Sequence, residues 1–361
     1  MEGLVSSFWH KRKVFLTGHT GFKGSWLSIW LHRLGAQVTG YSLPPPTNPS
    51  LFALAGVDRL VTSIEGDISN LNALKSALTT SRSEILIHMA AQPLVRGGYA
   101  DPVGTYQTNV MGTVNLLEAG RSATGLRAVV NVTTDKCYEN RGATSAFRES
   151  DVLGGIDPYS SSKACSELVT SSFRDAYFDA KEHGRHGVAI ATARAGNVIG
   201  GGDWGIDRLI PDIVRALEAG RAVSIRKPHA RRPWQHVLEP LSGYLRLAEQ
   251  LHDGGPQYNG AWNFGPETDD AQPVSWIADQ AAALWGNGAR WEVDVAAHPH
   301  EADCLRLDCS KAQMMLAWRP RLRVQMALEW TIGWYRDVSR GTDPLDLCLA
   351  QIEEYASMGA P

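Results

Sequence analysis

Short apolar blocks alternate with amphipathic stretches from residue 13 to about residue 200 of the chain. Lys13-Val14-Phe15-Leu16-Thr17 is the first such block, followed by a glycine-rich turn and the start of a helical pattern at Ser25-Trp26-Leu27. Gln37–Ser42 and Val129–Thr134 repeat the strand-like run. Strand and helix in strict alternation predict an α/β fold built on a doubly wound parallel sheet. From Gly200-Gly201-Gly202-Asp203-Trp204-Gly205 the pattern turns irregular, and the chain is expected to cross there to a smaller lobe. It is expected to return near Gln235–His252 and to cross again around Trp262–Pro266. The reading therefore divides the chain into 1–200 with a returning segment 235–262, and a smaller, mostly C-terminal lobe of 201–234 and 263–361. Trp285-Gly286-Asn287-Gly288 reads as a helix end, and Trp330–Tyr335 as part of a late helix.

Composition narrows the classes. A length of 361 residues suits two lobes with sizeable cores, and a net charge of -3 supplies no basic field for nucleic acid. Lys11-Arg12-Lys13 is a short cluster that reads as a solvated face. No apolar run approaches the roughly 20 residues of a membrane span, and the N-terminus lacks a signal-peptide core, so a cytoplasmic protein is expected. The five cysteines, Cys137, Cys165, Cys304, Cys309 and Cys348, are scattered and without CxxC spacing. They read as reduced thiols, with no metal site.

Two motifs carry the chemistry. In Tyr159-Ser160-Ser161-Ser162-Lys163 the phenol and the ammonium are four residues apart, on one face of a helix. A phenol of pKa about 10 becomes a base near neutrality only with roughly 4 kcal/mol of help, which nearby cations in a partly dry site supply. An amphipathic helix carrying both residues by chance is the plain alternative. The second motif, Gly18, Gly21 and Gly24, makes GxxGxxG between a strand and a helix, a variant of the dinucleotide fingerprint. There a diphosphate meets free N–H groups at a helix N-terminus.

With these motifs the chain resembles the extended short-chain dehydrogenase/reductase family over essentially its whole length. Gly66-Asp67-Ile68 resembles the turn after the third strand, and Leu86-Ile87-His88-Met89-Ala90-Ala91-Gln92 the fourth strand with its cofactor loop. Thr108–Thr113 resembles the next helix, and Arg194–Gly200 the loop joining cofactor and substrate halves. The resemblance implies a Rossmann-type domain that binds NAD. Its expected contacts are Gly18, Thr20, Gly21, Phe22, Lys23, Gly24, Asp67, Ile68, Ala90, Ala91, Asn109, Tyr159 and Lys163. The second strand ends in Ser42 without the carboxylate that usually holds the ribose, so NADP stays open.

The residues after Val132 point to the reaction. Thr133-Thr134-Asp135-Lys136 places an acid and an amine where simple epimerases and reductases carry no charge. Together with Leu43-Pro44-Pro45-Pro46-Thr47 and Arg232-Pro233-Trp234-Gln235-His236-Val237, this resembles the nucleotide-sugar 4,6-dehydratases, above all those that take CDP-glucose. The resemblance implies C4 oxidation by Tyr159, water loss across C5 and C6, and hydride return. Thr134 would steady the C4 oxygen, Asp135 act as acid, and Lys136 act as base or enolate partner. On an extended segment Asp135 and Lys136 would face opposite ways and need not pair. For the substrate, Asn197, Arg208, Arg232 and Arg306 are the candidates, with Trp204 and Trp234 as pocket walls. Nothing in the bare residues separates cytosine from thymine, guanine or uracil. A dehydratase acting on dTDP-glucose or GDP-mannose, an epimerase or reductase, and a non-catalytic NAD-binding protein remain as alternatives. The resemblance also implies a homodimer or homotetramer, paired through helices near Val103–Gly120 and Tyr159–Ala180 with Val114, Leu117, Leu168 and Phe173 as apolar residues, and a role in cell-surface deoxysugar synthesis.

Overall fold

The apolar blocks fill the centre of the molecule. The computed structural model describes residues 8–142, 145–286, 288–294 and 305–359. Asn287 and Cys304, both named above, lie outside the described residues. Strands β1 (Lys13–Thr17), β2 (Gln37–Ser42), β3 (Thr62–Glu65), β4 (Ile85–His88), β5 (Ala128–Val132), β6 (Ala189–Ala195) and β7 (Gly260–Phe264) form a seven-stranded sheet. Its order is β7-β6-β5-β4-β1-β2-β3 and every pairing is parallel. Strands buried on both faces need no alternation, which is why β4 and β5 open with the apolar runs Ile85–Ile87 and Ala128–Val130.

Two helical layers cover the sheet. Helices α1 (Phe22–Arg33), α5 (Leu238–Gly254) and α7 (Pro344–Ser357) pack on one face. The other face carries α2 (Leu71–Ser81), α3 (Gly112–Ser122) and α4 (Pro158–Tyr177). Chain order reverses between β1 and β4, and the cleft opens outside the C-terminal ends of those strands. Thr17 and His88 close them together, Oγ1 to Nδ1 at 2.7 Å. The Thr17 hydroxyl also accepts the N–H groups of Met89 and Ala90, which aims the loop after β4 across the cleft.

The return to the sheet occurs through α5 and β7. The smaller lobe carries the helix Leu209–Glu218, the parallel pair Val223–Ile225 with Trp291–Val293, and the antiparallel pair Arg231–Pro233 with Ala271–Pro273. Helix α6 (Val324–Ser339) contains Trp330–Tyr335, and the helix Val274–Trp285 ends before Gly286 at φ +78. The C-terminal segment does not stay in the smaller lobe, because α7 lies on α1.

Two elements differ from the sequence pattern for local reasons. The fifth strand stops at Val132, since the Thr134 hydroxyl accepts the Lys136 N–H and opens a 3-10 turn, Asp135–Cys137. The helix expected over Val103–Gly120 is three pieces: Pro102–Tyr106, a π-turn at Gln107–Met111, and α3. The turn holds Asn109, whose side chain bonds the backbone of Gln92. A π-turn inside a helix often marks a functional site.

Glu239 on α5 fastens the C-terminal segment. Its carboxylate accepts the N–H groups of Arg321 at 2.9 Å and Leu322 at 2.6 Å and the Tyr355 hydroxyl at 2.9 Å. Burial pushes this carboxyl up to about 7 despite those donors. Glu239→Ala leaves buried donors unpaired and should lower the unfolding free energy by about 3 kcal/mol or more. Urea denaturation measures it, and an unchanged midpoint would mean that Glu239 is no clasp.

Candidate active site

The cofactor end of the cleft is a backbone cradle. Gly18 takes φ +75, and a Cβ there would sit 2.6 Å from the Ala90 nitrogen. A Cβ on Gly24 would lie 2.0 Å from the Gly18 carbonyl oxygen. Only glycine lets strand, loop and helix approach this closely. Gly21 caps α1 without a side-chain hydrogen bond, and no acidic residue stands in the first turn. The N–H groups and the positive end of the helix dipole therefore face an anion without competition. These features fit the diphosphate of a dinucleotide.

The surrounding residues are placed as the fingerprint requires. Gly18, Thr20, Gly21, Phe22, Lys23, Gly24, Asp67, Ile68, Ala90 and Ala91 all line the cleft. Thr20 bonds the Ser42 hydroxyl at 2.8 Å and the Leu43 carbonyl at 2.9 Å, tying the loop to the end of β2. Leu43, Pro44, Pro46 and Thr47 continue that wall. Asn109 is the exception. It is buried behind the wall, donating to Gln92 O and Ser162 Oγ and accepting from Gln92 N, while Thr108 faces the cleft. Asn109 thus shapes the cofactor loop instead of lining the site.

Thr134, Asp135, Lys136, Tyr159 and Lys163 converge on the same cleft. Asp157 caps α4 and Pro158 stands at its first position, which starts the helix just before Tyr159. Thr134 donates to Asp135 Oδ1 at 3.1 Å, and Lys136 Nζ lies 3.7 Å from the same oxygen. The expectation for an extended segment fails here because a 3-10 turn brings the two neighbours to one side. Lys163 Nζ donates to Val132 O at 3.2 Å.

Electrostatics divide the work among these groups. Burial raises the Tyr159 phenol above its ordinary value; Lys136, a hydrogen bond from Thr134 and Arg208 act against burial, and Asp135 adds to it. Lys136 and Arg208, which the spacing along the chain did not indicate, are thus two cations that favour phenolate. Burial lowers Lys163 to about 8, with Glu167 opposing. Lys23 falls to about 7 through burial and the nearby cations Lys163 and Arg208, and its ammonium reaches the Tyr244 hydroxyl at 3.3 Å.

Toward the smaller lobe, Asn197, Arg208 and Arg232 line the cleft, as do Trp204 and Trp234. Arg208 donates to both oxygens of Asp203, at 3.0 and 2.9 Å. Arg306 does not line it: the wall there is its neighbour Leu305, while the Arg306 carbonyl accepts the Phe147 N–H. Sequence reasoning missed four cations on the wall, Arg96, Arg141, Arg226 and Lys227. Arg96 and Arg226 flank Asp207 at 3.0 and 3.4 Å. The dense basic run from Arg226 to Arg232 was the available signal; Arg96 had none beyond following the cofactor loop.

Known proteins resemble this chain in sequence and fold. The chain is 50% identical to the CDP-glucose 4,6-dehydratase of Salmonella typhimurium (strain LT2), over 97% of this chain and 98% of that one. It is 28% identical to a dTDP-glucose 4,6-dehydratase of Streptomyces antibioticus, over 92% and 95% of the two chains. The solved structure of MoeE5 in complex with UDP-glucuronic acid and NAD superposes with a TM-score of 0.75 at 25% identity, covering 90% of this chain and 99% of that one. Residues 14–265 match the model of the NAD dependent epimerase/dehydratase family. With a glycine cradle, a Tyr/Lys pair and a sheet of the same architecture, the chain belongs to that family.

Proposed function

We propose that this protein converts CDP-glucose to CDP-4-keto-6-deoxyglucose by loss of one water. The observation that carries the reading is Asp135-Lys136 held beside Tyr159, an acid and an amine on the reacting side of the phenol. The choice of CDP-glucose is supported by the Salmonella relative's name and half-identical sequence. Reduction or epimerisation at C4 needs no such second pair.

Tyr159 takes the proton of the C4 hydroxyl as the substrate is oxidised at C4. NAD, when bound in the glycine cradle, supplies the acceptor for that hydride and the donor that returns it to C6. Thr134, beside the phenol, hydrogen-bonds the C4 oxygen through the ketone stage. Lys136 removes the C5 proton, and Asp135 protonates the departing C6 hydroxyl. A proton then returns to C5, so the sum is loss of one water with no net oxidation. The two roles need a neutral amine and a protonated carboxyl together. An ion pair becomes that combination by moving one proton between Lys136 and Asp135, with no change in total charge. Arg232, Arg208 and Arg226 suit the sugar nucleotide's diphosphate, because a guanidinium donates two parallel hydrogen bonds.

The same reading makes the protein a homodimer. Val103, Met111 and Leu168 expose 75%, 50% and 58% of their surface on the helical face formed by Pro102–Ser122 and α4. Leu117, expected at that surface, is buried in the protein's own core, and Phe173 packs against that core too. We place the enzyme in the cytoplasm, supplying a deoxysugar precursor for lipopolysaccharide O-antigen. Unpaired thiols at Cys137, Cys165, Cys309 and Cys348 suit a reducing compartment. Among the described residues no helix is long and apolar enough to cross a membrane.

Incubation with CDP-glucose and NAD should give a sugar nucleotide lighter by one water, with no accumulation of NADH. Water loss from dTDP-glucose or GDP-mannose instead would move the base specificity, and no water loss from any of them would overturn the reading. Tyr159→Phe should lower kcat by about 10²–10⁴-fold while NAD still binds. Lys136→Ala should lose water formation by a similar factor yet still reduce bound cofactor; undiminished dehydration by that variant would remove Lys136 from the mechanism. By light scattering the wild type should have twice the chain mass, and Leu168→Asp should shift it toward monomer.

A further inference from the structure

The Tyr159/Lys163 spacing continues by one more helical turn. Glu167 lies four residues beyond Lys163 on α4, buried, with its carboxylate fully engaged. Oε1 accepts the Thr133 hydroxyl at 2.5 Å, and Oε2 accepts the Thr192 hydroxyl at 2.6 Å and the Arg194 guanidinium at 2.8 Å. Arg194 donates onward to the Tyr138 hydroxyl, which donates to Asn263. This one carboxylate therefore joins α4, the residue before Thr134, β6 just before the Asn197 loop, and the far side of the 135–137 turn.

We propose that Glu167 is a positioning residue of the reaction centre: it fixes the Thr133-Thr134 segment and the Arg194 strand end relative to α4, and it supplies the counter-charge of Lys163. The charges around Lys163 are few. From its own helix comes Glu167, from the 135–137 turn Cys137, from β4 His88 and from α1 Lys23. Burial holds His88 near 3 and raises the Cys137 thiol, so both are neutral at neutral pH. Lys23 repels Lys163 while it keeps its proton, below about 7, and Glu167 is the opposite charge that acts on Lys163 throughout. Arg194 is held charged by the same carboxylate, against a burial that would lower it. The inference rests on the reaction proposed above for Tyr159, but its readout does not require CDP-glucose to be the substrate.

The test is NAD affinity as a function of pH, followed by tryptophan fluorescence, together with kcat and KM. Wild-type affinity should weaken in two steps as pH rises, near 7 where Lys23 loses its proton and near 8 where Lys163 does. In Glu167→Gln the later, Lys163 step should move about one pH unit lower or more, because an opposite charge has been removed. Turnover at neutral pH should fall roughly 10- to 100-fold with KM little changed, as for a misplaced reacting group. Glu167→Asp, which keeps the charge, should restore most of the pH dependence. Because Glu167→Gln strands the Arg194 cation in the interior, the double variant Glu167→Gln/Arg194→Met serves where the single one does not fold, and should show the same shift. A limb coincident with wild type in either variant would leave Glu167 a structural residue only and overturn the proposal, as would wild-type NAD affinity flat across this range. Failure of the substrate reading would show separately, as wild-type enzyme that binds NAD with this pH dependence but does not dehydrate CDP-glucose.

Discussion

Buried positive charge at the C-terminal ends of β1, β4 and β5 is the constraint around which this protein is organised. Lys23, Lys136, Lys163 and Arg208 all face one cleft, and burial drives Lys23 to about 7 and Lys163 to about 8. Cations withdrawn from water are tolerated only when each finds a counter-charge or surrenders its proton. The fold answers at three places: Asp203 holds Arg208, Asp135 stands against Lys136, and Glu167 lies a turn from Lys163. Lys23 has the Tyr244 hydroxyl and ring instead. A dinucleotide and a sugar nucleotide each bring a diphosphate, so the ligands complete a balance that the protein leaves positive.

The parallel sheet makes this crowding possible. Consecutive strands deliver their C-terminal ends to one rim, so residues distant in sequence meet without long loops. Thr17 and His88 lock the rim at the point where strand order reverses, and the loop after β4 hangs from Thr17. Asn109 holds the next turn of that loop from behind, through a π-turn that breaks an otherwise continuous helix. Rigid support of this kind matters more than proximity alone, because the phenol, the amine and the carboxyl must each address a different atom of one sugar ring.

Local chemistry made much of this legible in sequence. Glycine spacing after an apolar block encodes a backbone path that no other residue permits, so the cofactor cradle was readable. A four-residue helical spacing placed Tyr159 and Lys163 on one face. What escaped was tertiary. Spacing along a chain does not report every cation that acts on the phenol, and the turn at Asp135 adds Lys136. Arg226 and Lys227 reach the cleft through a small sheet that pairs with distant Trp291–Val293, and Arg306 misses it because the chain turns Leu305 inward. Glu167 obeyed the same helical spacing as its two predecessors, but its meaning depended on Thr133, Thr192 and Arg194 arriving from two other strand ends.

The amine at position 136 changes more than the identity of a base. A glutamate there would add a second negative charge beside Asp135 and raise the phenol further, since the charge that now favours phenolate would be reversed. On the mechanism we propose, lysine instead serves two stages with one proton. While charged it supports the loss of the C4 proton, and once its proton has passed to Asp135 it is ready for the C5 proton. The carboxyl that receives that proton becomes the acid for the C6 hydroxyl. On that mechanism a positive rim is not only tolerated but used, with Tyr159, Lys136 and Asp135 acting in the order in which the reaction moves charge across the ring.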